Sequence, residues 1–139
     1  MKYIFLINTF TTKEQTPEVE NKIKEYCKKE KLEYIIEKNS PSLDTEDIVK
    51  KYKKGKNIII AVGGDGVINR VLNEVINTDN ILGFIPFGTG NDFYKSAKRE
   101  LQIGENKIDI AKINNKYFIN TACFGIDADV ANNKNVVKT

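Results

Sequence analysis

Short apolar runs alternate with segments whose apolar residues recur every three or four positions, and the alternation holds to about residue 100. The first run, residues 2–8 (Lys2-Tyr3-Ile4-Phe5-Leu6-Ile7-Asn8), is uninterrupted and rich in strand formers, which predicts a fully buried strand. A polar loop is expected over Thr9 to Thr16. Thr16 as N-cap and Pro17 at the first helical position then open a helix, with Val19, Ile23, Tyr26 and Cys27 on its apolar face. Lys28, Lys29 and Lys31 suit the negative end of that helix. Leu32 to Glu37 predicts a second strand, and Asn39-Ser40-Pro41-Ser42 breaks it. A helix from Asp44 or Thr45 to about Lys54 follows, with Ile48, Val49 and Tyr52 inward and Gly55 as its stop. The third strand spans 57–62 and the next helix 67–77; Ile81 to Pro86 is the fourth strand, and a short helix begins near Asn91.

The order βαβαβαβα predicts a parallel sheet covered by helices on both faces, with right-handed crossovers. Beyond about residue 100 the period changes. Lys107 to Ile113 and Lys116 to Phe124 alternate in and out around Asn114-Asn115, the pattern of an antiparallel hairpin. Residues 1–105 are therefore expected to form an α/β nucleotide-binding domain. Residues 106–139 are expected to begin a β-rich second domain that is cut short, since two strands and a polar tail cannot close a core. Edges left open on that hairpin favour fraying or pairing with a second copy as a homodimer.

Composition narrows the classes. The chain has 139 residues, 40% hydrophobic and 29% charged, ordinary values for a folded domain. A net charge of +3, from 22 basic and 19 acidic residues, is too balanced to argue for nucleic acid. There is no histidine, which removes histidine-based triads and histidine metal ligands. Cys27 and Cys123 lie far apart with no metal-type spacing and read as free buried thiols in a reducing compartment. No run reaches the roughly 18–20 apolar residues of a membrane span, and the N-terminus lacks the long apolar core of a signal peptide. The expected location is cytoplasmic. The lysines at 50, 51, 53, 54 and 56 read as a solvated helix end rather than a patch for an anionic bilayer.

The chemistry is concentrated in two loops. Gly63-Gly64-Asp65-Gly66 follows the third strand and opens a helix. Glycines let backbone approach a phosphate closely, and a helix start offers free N–H groups and a positive dipole end. Alone, such a cluster also fits a tight turn. Pro86-Phe87-Gly88-Thr89-Gly90-Asn91-Asp92 follows the fourth strand and alone fits a helix entry capped by Asn91 or Asp92. Both loops are expected at one edge of the sheet, where open α/β folds bind ligands, and two turns are a poor account of that pairing. Neither loop fits a Walker A motif or a spaced GxGxxG.

Gly63 to Asn69 resembles the GGDGT-x-N motif of the diacylglycerol kinase catalytic domain family, and Pro86 to Asp92 matches its P-x-G-T-x-N-D motif at every fixed position. Ile108-Asp109, Phe118-Ile119-Asn120 and Phe124-Gly125-Ile126-Asp127-Ala128 resemble strands that begin the family's second domain. NAD kinases share the first motif but much less of the second. The resemblance implies an ATP- and Mg2+-dependent lipid kinase acting on a lipid presented at a membrane surface, with a peripheral position at the inner face of the membrane. It implies that Gly63, Gly64, Asp65, Gly66, Val67 and Asn69 surround the phosphates. Asn8, Lys38 or Asn39, Gly88, Thr89 and Asn91 would complete the nucleotide contacts. Asp65, Asp92 and Asp109 would form an acidic network around magnesium and its waters. It also implies that the catalytic base and the direct magnesium ligands lie beyond Thr139, so that this chain alone would not turn over.

Four features depart from the pattern, one of them the connection from Tyr94 to Lys107, which is shorter than usual. Val67 replaces a threonine, Arg70 replaces a glutamate and reads as a solvated helix residue, and Asn8-Thr9-Phe10-Thr11 is a poor copy of an Asn-Pro-x-Ser/Thr-Gly loop. The alternatives they leave open are an NAD kinase-like enzyme and a non-catalytic nucleotide-binding regulatory module.

Overall fold

The four apolar runs form four parallel strands, β1 (Tyr3–Ile7), β2 (Tyr34–Lys38), β3 (Ile58–Gly63) and β4 (Ile81–Pro86), in a sheet ordered β2-β1-β3-β4. A computed structural model describes residues 1–87, 90–97 and 107–119 in full and 98–100 by their backbone. Among the described residues, five α-helices accompany the strands: α1 (Thr9–Thr12), α2 (Thr16–Lys29), α3 (Thr45–Lys50), α4 (Asp65–Val75) and α5 (Asp92–Glu100).

Side chains alternate across a strand, so each strand feeds two cores. Ile4, Leu6, Ile59 and Ala61 pack with Ile48 and Val49 of α3 and with Val67, Ile68, Val71 and Val75 of α4. Phe5, Ile7 and Val62 pack on the opposite face with Ile23 and Cys27 of α2. The result is the three-layer α/β arrangement expected from the sequence. Burial pushes the Cys27 thiol up, so it is an inert core group. Cys123 lies outside the described residues. α2 covers only part of its face, and Ile60, Ile85 and Phe87 line an apolar trough of about 760 Å³ beside it. None of residues 63–66 lines that trough.

Several boundaries differ from the sequence reading. The stretch expected as a polar loop from Thr9 to Thr16 is helical: α1, a 3-10 turn at Lys13–Gln15, and the first residue of α2. Side chains supply what the local propensity lacks. The Asn8 side chain caps α1, and the Thr12 and Thr16 hydroxyls lie 2.6 Å apart. Thr16 is thus inside α2, not its N-cap; its hydroxyl donates to the Lys13 carbonyl instead. Tyr26, assigned to the apolar face, is 58% exposed. α3 stops at Lys50, before Gly55, and α4 starts at Asp65, inside the glycine loop. Tyr52 packs against the α3/α4 core and donates its hydroxyl to Glu37 at 2.5 Å; burial and that hydrogen bond push its pKa up to about 12. Of the lysines near α3, Lys50, Lys51 and Lys53 pair with Asp47, Glu37 and Glu74, as a solvated helix end should.

The small antiparallel pair is shorter than expected, β5 (Ala111–Ile113) and β6 (Lys116–Phe118). Asn114 and Asn115, both at positive φ (47° and 64°), make its two-residue turn. Residues 120–124 of the longer strand expected there lie outside the described residues. Among the described residues, no helix is long and apolar enough to cross a membrane.

Candidate functional site

From β1 the chain crosses to β2 on one side and then to β3 on the other, so strand order reverses between β1 and β3. In open α/β sheets that reversal opens a crevice at the carboxyl ends of the strands. Asn8 ends β1 there and Gly63 ends β3. The two touch: Asn8 N–H donates to the Val62 carbonyl at 3.0 Å, and a Cβ on Gly63 would lie 3.4 Å from the Asn8 Cβ.

Asn8 and Asn39 form one polar knot at the ends of β1 and β2. Asn39 Nδ2 donates to Asn8 Oδ1 at 2.9 Å and to Thr45 Oγ1 at 3.4 Å, while its Oδ1 accepts from Thr9 N–H at 2.8 Å. Asn8 Nδ2 donates to Thr11 Oγ1 at 2.7 Å. Asn39 is buried, so it ties β1, β2 and α3 together. Lys38 turns elsewhere: its Nζ lies 2.8 Å from Glu20 Oε2 on α2. Of the two candidates at the end of β2, Asn39 is joined to Asn8 and Lys38 is a surface ion pair.

Two measurements test that division. Asn39→Leu strands buried partners and is expected to cost about 1–3 kcal/mol, whereas Lys38→Met should change thermal stability by less than about 1 kcal/mol. Equal losses in thermal melts of the two variants would contradict it. The second is a pH dependence. Lys24 and then Lys38 hold the Glu20 carboxyl down to about 2 from an ordinary 4.5. A lowered folded-state pKa stabilises above the unfolded value, so this contribution is complete above about pH 5 and is lost as pH falls from 4.5 toward 2. Glu20→Gln should flatten that part of the stability–pH curve, by less than about 1 kcal/mol because the pair meets solvent.

The glycine loop is built around crowding on one side and room on the other. A Cβ on Gly63 would lie 3.0 Å from Val67 Cγ2 and 3.2 Å from Val67 Cβ. Val67 is buried in the α4 core, so the residue standing where a threonine was expected faces inward. Gly64 precedes α4 without a side-chain cap, and its carbonyl accepts from Val67 and Ile68 N–H at 3.1 and 3.3 Å. The N–H groups of Asp65 and Gly66 belong to the first turn, where helix geometry provides no acceptor. Gly66 is exposed, and nothing lies within 4 Å of where its Cβ would be.

Asp65 joins the two loops. Its Oδ2 accepts from Asp92 N–H at 2.9 Å and its Oδ1 from Phe93 N–H at 3.1 Å. Those are first-turn donors of α5, so a carboxylate 27 residues earlier caps that helix. Asn91 stands before α5 at φ 53°, a left-handed conformation that asparagine tolerates, and its carbonyl accepts from Lys95 N–H at 3.1 Å. Oδ2 of Asp65 and Oδ2 of Asp92 lie 3.6 and 3.7 Å from the position of a Cβ on Gly90, so two carboxylates flank that glycine. Gly88 and Thr89 lie outside the described residues, as do Asn120 and residues 124–128.

The remaining candidates sit toward the hairpin. Asn69 Oδ1 accepts from Ile119 N–H at 3.0 Å, so its side chain is directed to the hairpin strand. Asn73, which the motifs did not single out, binds Tyr117. Asp109 is exposed on the segment entering β5. Arg70 is exposed, with its Nε 3.9 Å from Glu46, as a solvated helix residue should be. Among the described residues, no group of three or more His, Cys, Asp or Glu side chains could hold a metal ion.

The chain is similar to several staphylococcal proteins named diacylglycerol kinase. That of Staphylococcus haemolyticus is 39% identical over 93 aligned positions, covering 58% of this chain and 28% of that protein. That of Staphylococcus saprophyticus is 33% identical over 93 positions, covering 58% and 30%. That of Staphylococcus aureus is 40% identical over 80 positions, covering 49% and 25%. The aligned part of the chain thus corresponds to 25–30% of the length of these relatives. The match to the diacylglycerol kinase catalytic domain runs over residues 2–119, through both glycine loops and the start of the hairpin, and the chain belongs to that family.

Proposed function

We propose that this chain is the nucleotide side of a lipid kinase that transfers the γ-phosphoryl group of ATP to a hydroxyl of diacylglycerol or a related lipid. The observation that carries the reading is the bond between the two loops: Asp65 of the first loop caps the helix that follows the second, at the ends of β3 and β4 beside the β1/β3 reversal. Residues 1–105 form the ATP-binding unit in this reading, and 106–139 begin the second domain. Gly63, Gly64 and Gly66 let the backbone approach the phosphates, and the open space at Gly66 leaves room for them. Gly88, Thr89 and Asn91 are the second loop's contribution.

Phosphoryl transfer is catalysed mainly by positioning and charge neutralisation. Magnesium, when bound, would neutralise charge on the transferring group. Both Asp65 oxygens accept one backbone N–H each, and a carboxylate oxygen has a second lone pair. Asp65 and Asp92 therefore fit as acceptors for water on the ion rather than as its whole ligand set, with Asp109 as the third acidic position. We place the base for the lipid hydroxyl in the length of the relatives that this chain does not cover.

The test uses the full-length protein with Mg2+, γ-labelled ATP, NAD and micelles carrying diacylglycerol, other lipid alcohols or no lipid. Label in phosphatidic acid or another phospholipid is expected. Label in NADP with none in any lipid would replace this reading with an NAD kinase, ATP binding with no label transferred to either would leave a nucleotide-binding regulatory module, and no ATP binding at all would overturn both nucleotide readings.

A further inference from the structure

Asn69 and Asn73 are one helical turn apart on α4, so they share a side of the helix. Asn73 Oδ1 accepts from Tyr117 N–H at 2.8 Å, and its Nδ2 donates to the Tyr117 carbonyl at 2.8 Å. One side-chain amide thus satisfies both backbone groups of one strand residue, as a neighbouring strand would. The same Nδ2 donates back to the Asn69 carbonyl at 2.8 Å, which fixes its orientation. Asn69 Oδ1 takes the N–H of Ile119, two residues further along the same edge. Tyr117 faces Lys112 across the hairpin, so β5 covers one edge of β6 and the α4 amides cover the other. The outer edge of β6 is thus occupied at Tyr117, and the chain just beyond it at Ile119.

This contact is placed where it bears on the site. α4 begins at Asp65, and Asn69 lies about 6 Å along the helix axis from it. The hairpin follows directly on the segment that carries Asp109. We propose that Asn69 and Asn73 are positioning residues, a latch that docks the hairpin on the phosphate loop's own helix and so sets where Asp109 stands relative to Asp65 and Asp92. Its effect on turnover rests on the kinase reading; the docking itself does not.

The experiment uses the full-length protein and the variants Asn73→Ala and Asn73→Asp. Asn73→Ala removes both contacts to Tyr117. Asn73→Asp keeps an acceptor for Tyr117 N–H and turns an oxygen toward the Tyr117 carbonyl, and it decides the matter if Asn73→Ala does not fold. Hydrogen exchange over residues 111–119 is expected to quicken about tenfold or more in both, since Asn73→Ala loses both hydrogen bonds to Tyr117 and Asn73→Asp replaces one of them with two opposed oxygens. The kcat is expected to fall about tenfold with the KM for ATP within about twofold, the mark of a lost transition-state geometry rather than lost ATP binding. Unchanged exchange over 111–119 overturns the latch. Quicker exchange with unchanged kcat overturns the positioning role. Should the wild-type protein label no lipid, the kinase reading fails, while the exchange comparison still decides the latch.

Discussion

Replacing Asp65 with alanine is expected to reduce lipid phosphorylation at least about a hundredfold and to loosen α5 in the same step. The side chain is the acceptor for two first-turn amides of α5, at 2.9 and 3.1 Å. Loss of such a cap costs roughly 0.5–2 kcal/mol, and hydrogen bonds to a charged group lie at the upper end. The chemical loss is larger in the proposed reading, because the carboxylate also stands beside Asp92 at Gly90, where charge on the phosphates would have to be met. Asp65→Asn separates the two effects. An amide oxygen can still accept from one of the two N–H groups, but its NH2 then faces the other and the charge is gone. Thermal stability should therefore recover part of the way toward wild type while turnover stays low. Hydrogen exchange over residues 92–97 and kcat/KM for the lipid, measured on the same preparations, check this. An alanine variant with normal exchange in α5 would remove the cap from the account, and one with near-normal turnover would remove Asp65 from the chemistry.

Gly63→Ala and Gly66→Ala are both expected to lose ATP affinity but to part in stability, although they lie three positions apart in one loop. At Gly63 the new methyl meets Val67 Cγ2 at 3.0 Å and Val67 Cβ at 3.2 Å. Val67 is packed in the core and Asn8 closes the other side at 3.4 Å, so neither neighbour is free to move aside. Overpacking of this kind costs about 1–3 kcal/mol and shifts backbone. Here the shifted backbone is the start of α4, so ATP affinity should fall about tenfold or more as well. Adding Val67→Ala to Gly63→Ala should restore part of both. At Gly66 there is empty space and a helical position, so alanine should leave stability unchanged or raise it by about 0.4–1 kcal/mol. Its methyl enters the space proposed for phosphate, and ATP affinity should still drop. Calorimetric titration with ATP and Mg2+ and thermal melts of the three proteins decide it. Unchanged ATP affinity in Gly66→Ala would move the phosphates away from this loop.

The layers of the fold were legible because their causes are local. Ile58 to Val62 has no polar residue to suggest anything but a buried strand, and Ile68, Val71, Leu72 and Val75 recur at helical spacing. Strand ends and glycine loops then follow from order alone. What escaped was set by partners distant in sequence. The threonine-rich start of the chain has no helical pattern of its own; Asn8 capping Phe10 and Asn39 bonding Thr9 make the turn. Tyr26 has the period of a core residue, but the sheet beneath it is not fully covered and it meets solvent. Asp65 was legible as a carboxylate in a glycine loop at a strand end, yet its hold on α5 spans 27 residues and no local pattern encodes it. Asn73 lies 44 residues from Tyr117 and belongs to neither motif, so only the packed hairpin identifies it.

The cap supplied by Asp65 also sets an order of events on the ribosome. A nine-residue helix is marginal by itself, and α5 draws the acceptor for its first amides from a loop made 27 residues earlier. The four strands of the parallel sheet and the loop that carries Asp65 are synthesised before α5, so the helix leaves the ribosome after the elements it docks on. If α5 also docks last when the finished chain refolds, substitutions within it should speed unfolding rather than slow folding.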